Sequence, residues 1–160
     1  MNSGVSAQER GRRPGKRVMA LDLGEKRIGV AISDETRTLA RSLTVLMRKS
    51  RLKDYERIGR IADEQGIMLV VVGLPLLNSG QEGEKAAWVR DYSADLERRL
   101  ALPVTLWDEG YTTVRAEASL RERGIHGRRR RQRVDAAAAA FILQSYLDAQ
   151  AAKKSDEGTL

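Results

Sequence analysis

Residues 68–72 (MLVVV) are five consecutive apolar side chains, and a strand of that kind needs cover on both of its faces. Such a run is typical of a central strand in a parallel sheet, with helices packed above and below it. The neighbouring segments agree. Residues 17–22 (RVMALD) read as a buried strand ending in an acid. Residues 27–33 alternate Ile28, Val30 and Ile32 against Gly29, Ala31 and Ser33, a period-two strand with one small-residue face. A third strand is predicted around residues 39–47. Leu52, Tyr55, Ile58, Ile61 and Ala62 recur at helical spacing, and so do Trp88, Tyr92, Leu96 and Leu100, with Val89 alongside. Trp88, Tyr92 and Tyr146 therefore read as core residues rather than as platforms for stacked bases. A last strand over residues 104–107, a helix over 113–123 and a final alanine-rich helix over 134–149 complete the order.

The pattern βββαβαβαα predicts an α/β fold: a mixed five-stranded sheet of three antiparallel strands and two parallel crossovers, with helices on both faces. A chain of 160 residues has room for one such domain, placed here over residues 16–150. Residues 1–15 are expected to be a disordered basic arm and residues 151–160 a flexible tail. No stretch reaches the length of an apolar membrane span, and no apolar core of a signal peptide follows the basic N-terminus. The expected location is cytoplasmic, without membrane contact.

The net charge of +7 is uneven. Residues 1–18 contribute +4 and residues 121–133 contribute +6, which leaves −3 for the rest. An acidic body with two basic patches suits a polyanion-binding protein, because each neutralised phosphate releases condensed counterions. Arg128, Arg129, Arg130 and Arg131 are the denser patch, expected in a loop between the last two helices. Four consecutive like charges there cost stability unless a partner is present.

With no cysteine there are no disulfides and no thiolate metal sites, and His126 is the only histidine. Chemistry must come from carboxylates, lysines, arginines and backbone groups. The parallel strands all end on one edge, where α/β proteins place their sites. Asp22 stands there, followed by Gly24, which lets backbone, metal or phosphate come close. Glu109 sits just past the last strand. Asp135 begins the final helix, and the alanines after it would let that helix press against the sheet. Three carboxylates from separate elements can converge on one or two Mg²⁺ ions, which also accept phosphate oxygens as ligands. Each acid also has a plainer reading: Asp135 as a helix-start residue favoured by the dipole, Asp108 and Glu109 as a polar turn, Asp22 as an acceptor of turn N–H groups. Lys26 and Arg27, in the turn after Asp22, and the arginine run are candidates for phosphate contact. Residues 73–83 (GLPLLNSGQEG) form a Gly-Pro loop at the same edge and contain no Walker motif.

Asp22-Leu23-Gly24, Lys26-Arg27-Ile28-Gly29-Val30-Ala31, Ser33-Asp34, Val71-Val72-Gly73-Leu74-Pro75, Trp107-Asp108-Glu109, Thr112-Thr113 and Val134-Asp135, in this order, resemble the YqgF family, also called RuvX or Holliday junction resolvases. The likeness runs from about Arg17 to Asp148. It implies a ribonuclease H-like fold related to the RuvC resolvase, and dependence on Mg²⁺ or Mn²⁺. By matched motif position, Asp22, Glu109 and Asp135 take the metal-binding catalytic roles. The family is associated with maturation of the 5′ end of pre-16S ribosomal RNA, and by fold with four-way DNA junctions. Where the family usually reads Asp-Glu-Arg, this chain has Asp108-Glu109-Gly110, and Arg115 is the candidate to replace the missing arginine. The expectation is a metal-dependent nuclease, monomer or homodimer. A non-catalytic nucleic-acid-binding factor on the same scaffold is the competing reading. A sugar-kinase-like ATPase is set aside, because that architecture needs two such domains.

Overall fold

The computed structural model describes residues 15–108 and 127–158. Its elements are β1 (Arg17–Leu23), β2 (Arg27–Ser33), β3 (Ala40–Met47), α1 (Arg51–Gln65), β4 (Ile67–Leu74), α2 (Glu84–Leu100), β5 (Val104–Asp108) and α3 (Gly127–Glu157). The expected helix over residues 113–123 lies outside the described residues. The sheet order is β3-β2-β1-β4-β5. β1, β2 and β3 form the antiparallel meander, while β4 and β5 run parallel to β1.

Strand alternation sorts the side chains into two cores. Met19, Leu21, Ile28, Val30, Ile32, Val70 and Val72 face α1 and α2, where Ile58, Tyr92 and Leu96 complete the cluster. Val18, Ala20, Ala31 and Val71 face the other way, against Ala139, Ile142, Leu143 and Leu147 of α3. The alternation of Gly29, Ala31 and Ser33 is thus the face that a close helix needs. Tyr92 is fully buried and stacks edge-on against Tyr55 at 5.0 Å, and Trp107 meets Tyr146 in the same way at 5.4 Å. Tyr92, Trp88 and Tyr146 all pack against the two cores, as their spacing predicts.

The last helix differs from its expected bounds at both ends. It spans 31 residues instead of beginning at Val134 and ending at Ala149. No glycine or proline occurs between Arg128 and Glu157 to stop it, and arginine, alanine and glutamine are all good helix formers. The charged run, expected as a loop, is therefore its first turns, and the polar stretch from residue 150 to Glu157 continues its last.

The β2–β3 turn is held by Asp34, which accepts from the Thr36 hydroxyl at 2.5 Å and from the Thr38 and Leu39 amides at 2.8 and 3.0 Å. The Thr36 hydroxyl first, then the two amides, pull its carboxyl down from 3.8 to about 2. A pKa lowered on folding stabilises above the unfolded value and stops doing so as pH falls through the folded one. Thermal stability should therefore lose the Asp34 contribution between about pH 4 and pH 2. Asp34→Asn should flatten that part of a melting-temperature profile; an unchanged acid limb would contradict it.

Candidate active site

The carboxyl edge of β1, β4 and β5 is crossed by one transverse row of residues. Val45 of β3 lies beside Gly29 of β2, Gly29 beside Asp22 of β1, and Gly73 of β4 beside Trp107 of β5. Leu21 pairs with Val72, so one further step brings Asp22 level with Gly73. Asp22 is thus flanked by glycines, and it shares the α3 face with Val18 and Ala20. It is half-buried, at the rim of the sheet instead of within it.

Asp135 reaches this row through a backbone approach. A Cβ on Gly29 would stand 2.0 Å from the carbonyl oxygen of Asp135 and 2.7 Å from its carbon. Only a residue without a side chain lets α3 come so near β2, and this seats Asp135 over the strand next to Asp22. Side chains fix the helix's rotation. The Arg27 Nε donates to Asp135 Oδ2 at 2.8 Å, and the Ser42 hydroxyl donates to the Ala136 carbonyl at 3.0 Å. Further down, Gln144 accepts from the Ala40 amide and donates to the Thr38 carbonyl, both at 2.9 Å.

Asp135 lies inside its helix and not at the start where the sequence predicts it. Eight residues precede it in α3, so a first-turn capping role falls away. Asp135 sits against Gly29, Ala136 against Ser42 and Gln144 against Ala40 at the start of β3, so the helix runs antiparallel to β3 and to β1. The segment before Asp135, about 12 Å of helix, therefore leads away past the Asp22 row. That projecting helical segment carries the positions of Arg128, Arg129, Arg130 and Arg131. Lys26 is exposed in the β1–β2 turn. Asp108 ends β5, exposed and level with Leu74. Glu109, Gly110, Arg115 and the threonine pair at 112–113 lie outside the described residues.

The Arg27–Asp135 ion pair links positions 108 apart in sequence, and no local signal marks it. It is partly shielded, with side-chain exposures of 18% and 26%. Arg27 neutralises and aims one oxygen of Asp135, as hydrogen-bonded partners do for ligating carboxylates. Arg27→Gln should lower turnover by about 10–100-fold while melting temperature changes little. Turnover within about twofold of wild type, measured under saturating substrate, would remove Arg27 from the site.

Among the described residues no group of three metal-binding side chains is assembled. Asp22, paired with Gly29, and Asp135, seated on Gly29, nonetheless bring two carboxylate donors to the same row. Such donors suit a hard cation that retains some of its waters, Mg²⁺ or Mn²⁺, better than zinc.

A five-stranded β3-β2-β1-β4-β5 sheet with α1 and α2 on one face and α3 on the other is the ribonuclease H-like architecture. Two solved structures share it. The RuvC structure of Thermus thermophilus superposes with a TM-score of 0.52 at 18% identity, over 85% of this chain and 96% of that one. The same organism's RuvC in complex with a Holliday junction substrate gives 0.53 at 16% identity, over 84% and 94%. In sequence, the profile described as RuvX, Holliday junction resolvase, matches residues 16–149. Proteins of Thermoanaerobacter pseudethanolicus and Anaeromyxobacter sp. (strain K), each named "Putative pre-16S rRNA nuclease", are both 42% identical over 135 residues, covering 84% of this chain and 97% and 98% of theirs. The fold and these relatives define a nuclease of the ribonuclease H-like class. The chain belongs to the RuvX family.

Proposed function

We propose that this protein is a divalent-metal-dependent endonuclease that matures the 5′ end of pre-16S ribosomal RNA in the cytoplasm. Asp22, Glu109 and Asp135 would hold Mg²⁺ or Mn²⁺. The observation that carries the reading is the Gly29 approach, which brings α3 down until Asp135 shares the Asp22 row. A bound divalent ion there would supply an activated water and charge stabilisation at the scissile phosphate. The chain's own part is to position. Asp22 projects from a strand that cannot shift, because Val18 and Ala20 are locked under α3. Arg27 keeps Asp135 aimed, and Lys26 stands exposed on the adjacent turn for phosphate contact. Arg128, Arg129, Arg130 and Arg131, ahead of the site on the projecting segment of α3, would hold a flank of the structured substrate, as would Arg115. The names of the relatives from Thermoanaerobacter and Anaeromyxobacter favour ribosomal RNA over DNA.

The deciding experiment offers purified protein two labelled substrates with Mg²⁺ or Mn²⁺: a 16S precursor leader and a mobile four-way DNA junction. Asp22→Asn and EDTA serve as controls. Trimming of the leader that vanishes in both controls is the expected result. Paired symmetric nicks in the junction alone would make the protein a resolvase, which requires two active sites in a homodimer. Binding of both without cleavage would leave a non-catalytic nucleic-acid-binding factor.

A further inference from the structure

β3 runs parallel to β1, so the β3–α1 corner rises at the same edge as Asp22. That corner is strongly basic: residues 48–53 (RKSRLK) hold Arg48, Lys49, Arg51 and Lys53 and no acid. The next acid, Asp54, is turned inward and only 1% exposed, its Oδ1 taking the Lys49 amide at 2.9 Å. The two arginines are committed to structure. Arg48 donates through Nη1 to the Gly24 and Glu25 carbonyls at 3.1 and 3.0 Å and lies 4.5 Å over the Trp88 ring. Its own amide donates to the Lys26 carbonyl at 2.8 Å, so the corner is bolted to the turn that follows Asp22. Arg51 pairs with Asp91 at 2.8 Å.

Lys49 and Lys53 are different. Both are exposed, and neither ammonium makes a hydrogen bond or ion pair with any described residue. Lys53 also stands one turn before Arg57, whose Nη1 donates back to the Met47 carbonyl at 2.7 Å. Like charges four apart on a helix repel, and cations at a helix's first turn oppose its dipole. Glu56 stands three positions after Lys53, yet no described carboxylate forms an ion pair with either ammonium, so both lysines are available to a bound polyanion.

We propose that Lys49 and Lys53 form a phosphate-binding shoulder of the active edge, which grips the ribose-phosphate backbone of the RNA substrate on the α1 side of the cleavage site. α3 packs on the opposite face of the sheet and its arginine-bearing start leads past the same edge, so basic positions flank the edge from both faces. The inference rests on that edge being the nuclease site, and goes beyond it by naming which surface holds a second stretch of the strand.

The test is a salt titration of binding. A fluorescein-labelled RNA stem-loop with a single-stranded 5′ extension is titrated in EDTA, so that nothing is cleaved, from about 50 to about 200 mM salt. Lys49→Gln/Lys53→Gln should reduce the slope of log affinity against log salt by about 2, with a fall in affinity of roughly tenfold or more at low salt. Lys153→Gln/Lys154→Gln removes the same charge at the far end of α3 and should change neither. Equal effects from both pairs, or none from either, would reduce the lysines to a solvated face and overturn the shoulder. Wild-type protein without salt-dependent binding would overturn it too. A slope change seen with duplex DNA and absent with the RNA would overturn the commitment to RNA. Leader cleavage that depends on Asp22 is scored separately, so the shoulder can fail while the nuclease reading stands.

Discussion

Replacing Gly29 by alanine is expected to destabilise the protein by about 3 kcal/mol and to lower turnover by about a hundredfold. The added Cβ would sit 2.0 Å from the Asp135 carbonyl oxygen, where van der Waals contact requires well over an ångström more. Neither side can yield easily. β2 is hydrogen-bonded between β1 and β3, and α3 holds Ala139, Ile142 and Leu143 fully buried against the sheet. Lifting the helix would open that packing, and overpacked cores usually cost about 1–3 kcal/mol. For a chain of this size, 3 kcal/mol corresponds to a fall in melting temperature of roughly 6–12 °C. The catalytic loss has a separate origin, because a displacement of about 1 Å in a positioned carboxylate can cost a hundredfold. A melt and a turnover assay on Gly29→Ala check both parts. Wild-type stability would mean that the helix does not approach the strand as described.

Asp22→Asn should leave the fold in place and reduce cleavage by about a thousandfold or more. The amide has the shape of the carboxylate, so the cores around Val18 and Ala20 are not disturbed. What goes is the negative charge at the centre of the row, between Gly29 and the level of Gly73. Electrostatic stabilisation by a divalent ion at a phosphoryl centre is worth several kcal/mol, and about 4 kcal/mol is a factor of about a thousand in rate. Single-turnover cleavage of the precursor leader measures the chemical step directly. A variant within about tenfold of wild type would place the chemistry elsewhere.

The sheet was legible because its strands announce themselves. The MLVVV run, the alternation after Arg27 and the acid closing the first strand fix the count, the order and the face of each element. Helix α3 was less so. Its ends depend on the absence of breakers over 30 residues between Arg128 and Glu157, while charge suggested a loop at one end and a tail at the other. Of the candidate site, Asp22 was legible as an acid at the carboxyl edge, and Gly29 as one of a set of small residues. That Gly29 is the point where α3 touches down, and that Arg27 holds Asp135, depends on packing between segments more than a hundred residues apart. No local spacing encodes such contacts. The lysine pair at the β3–α1 corner is hidden for another reason: in a chain with 29 lysines and arginines, only the structure separates, among the described residues, those already partnered from those that are not.

If Asp22 and Asp135 together hold a divalent ion, calorimetric titration of Mn²⁺ into the protein without substrate will report it. Wild-type protein should show saturable binding, and Asp22→Asn and Asp135→Asn should each weaken it by at least about tenfold. Arg27→Gln should shift it by a smaller factor, since it touches only one oxygen of one ligand. If both aspartate variants bind Mn²⁺ with wild-type affinity, the edge is not the metal site and the catalytic reading of these carboxylates is wrong.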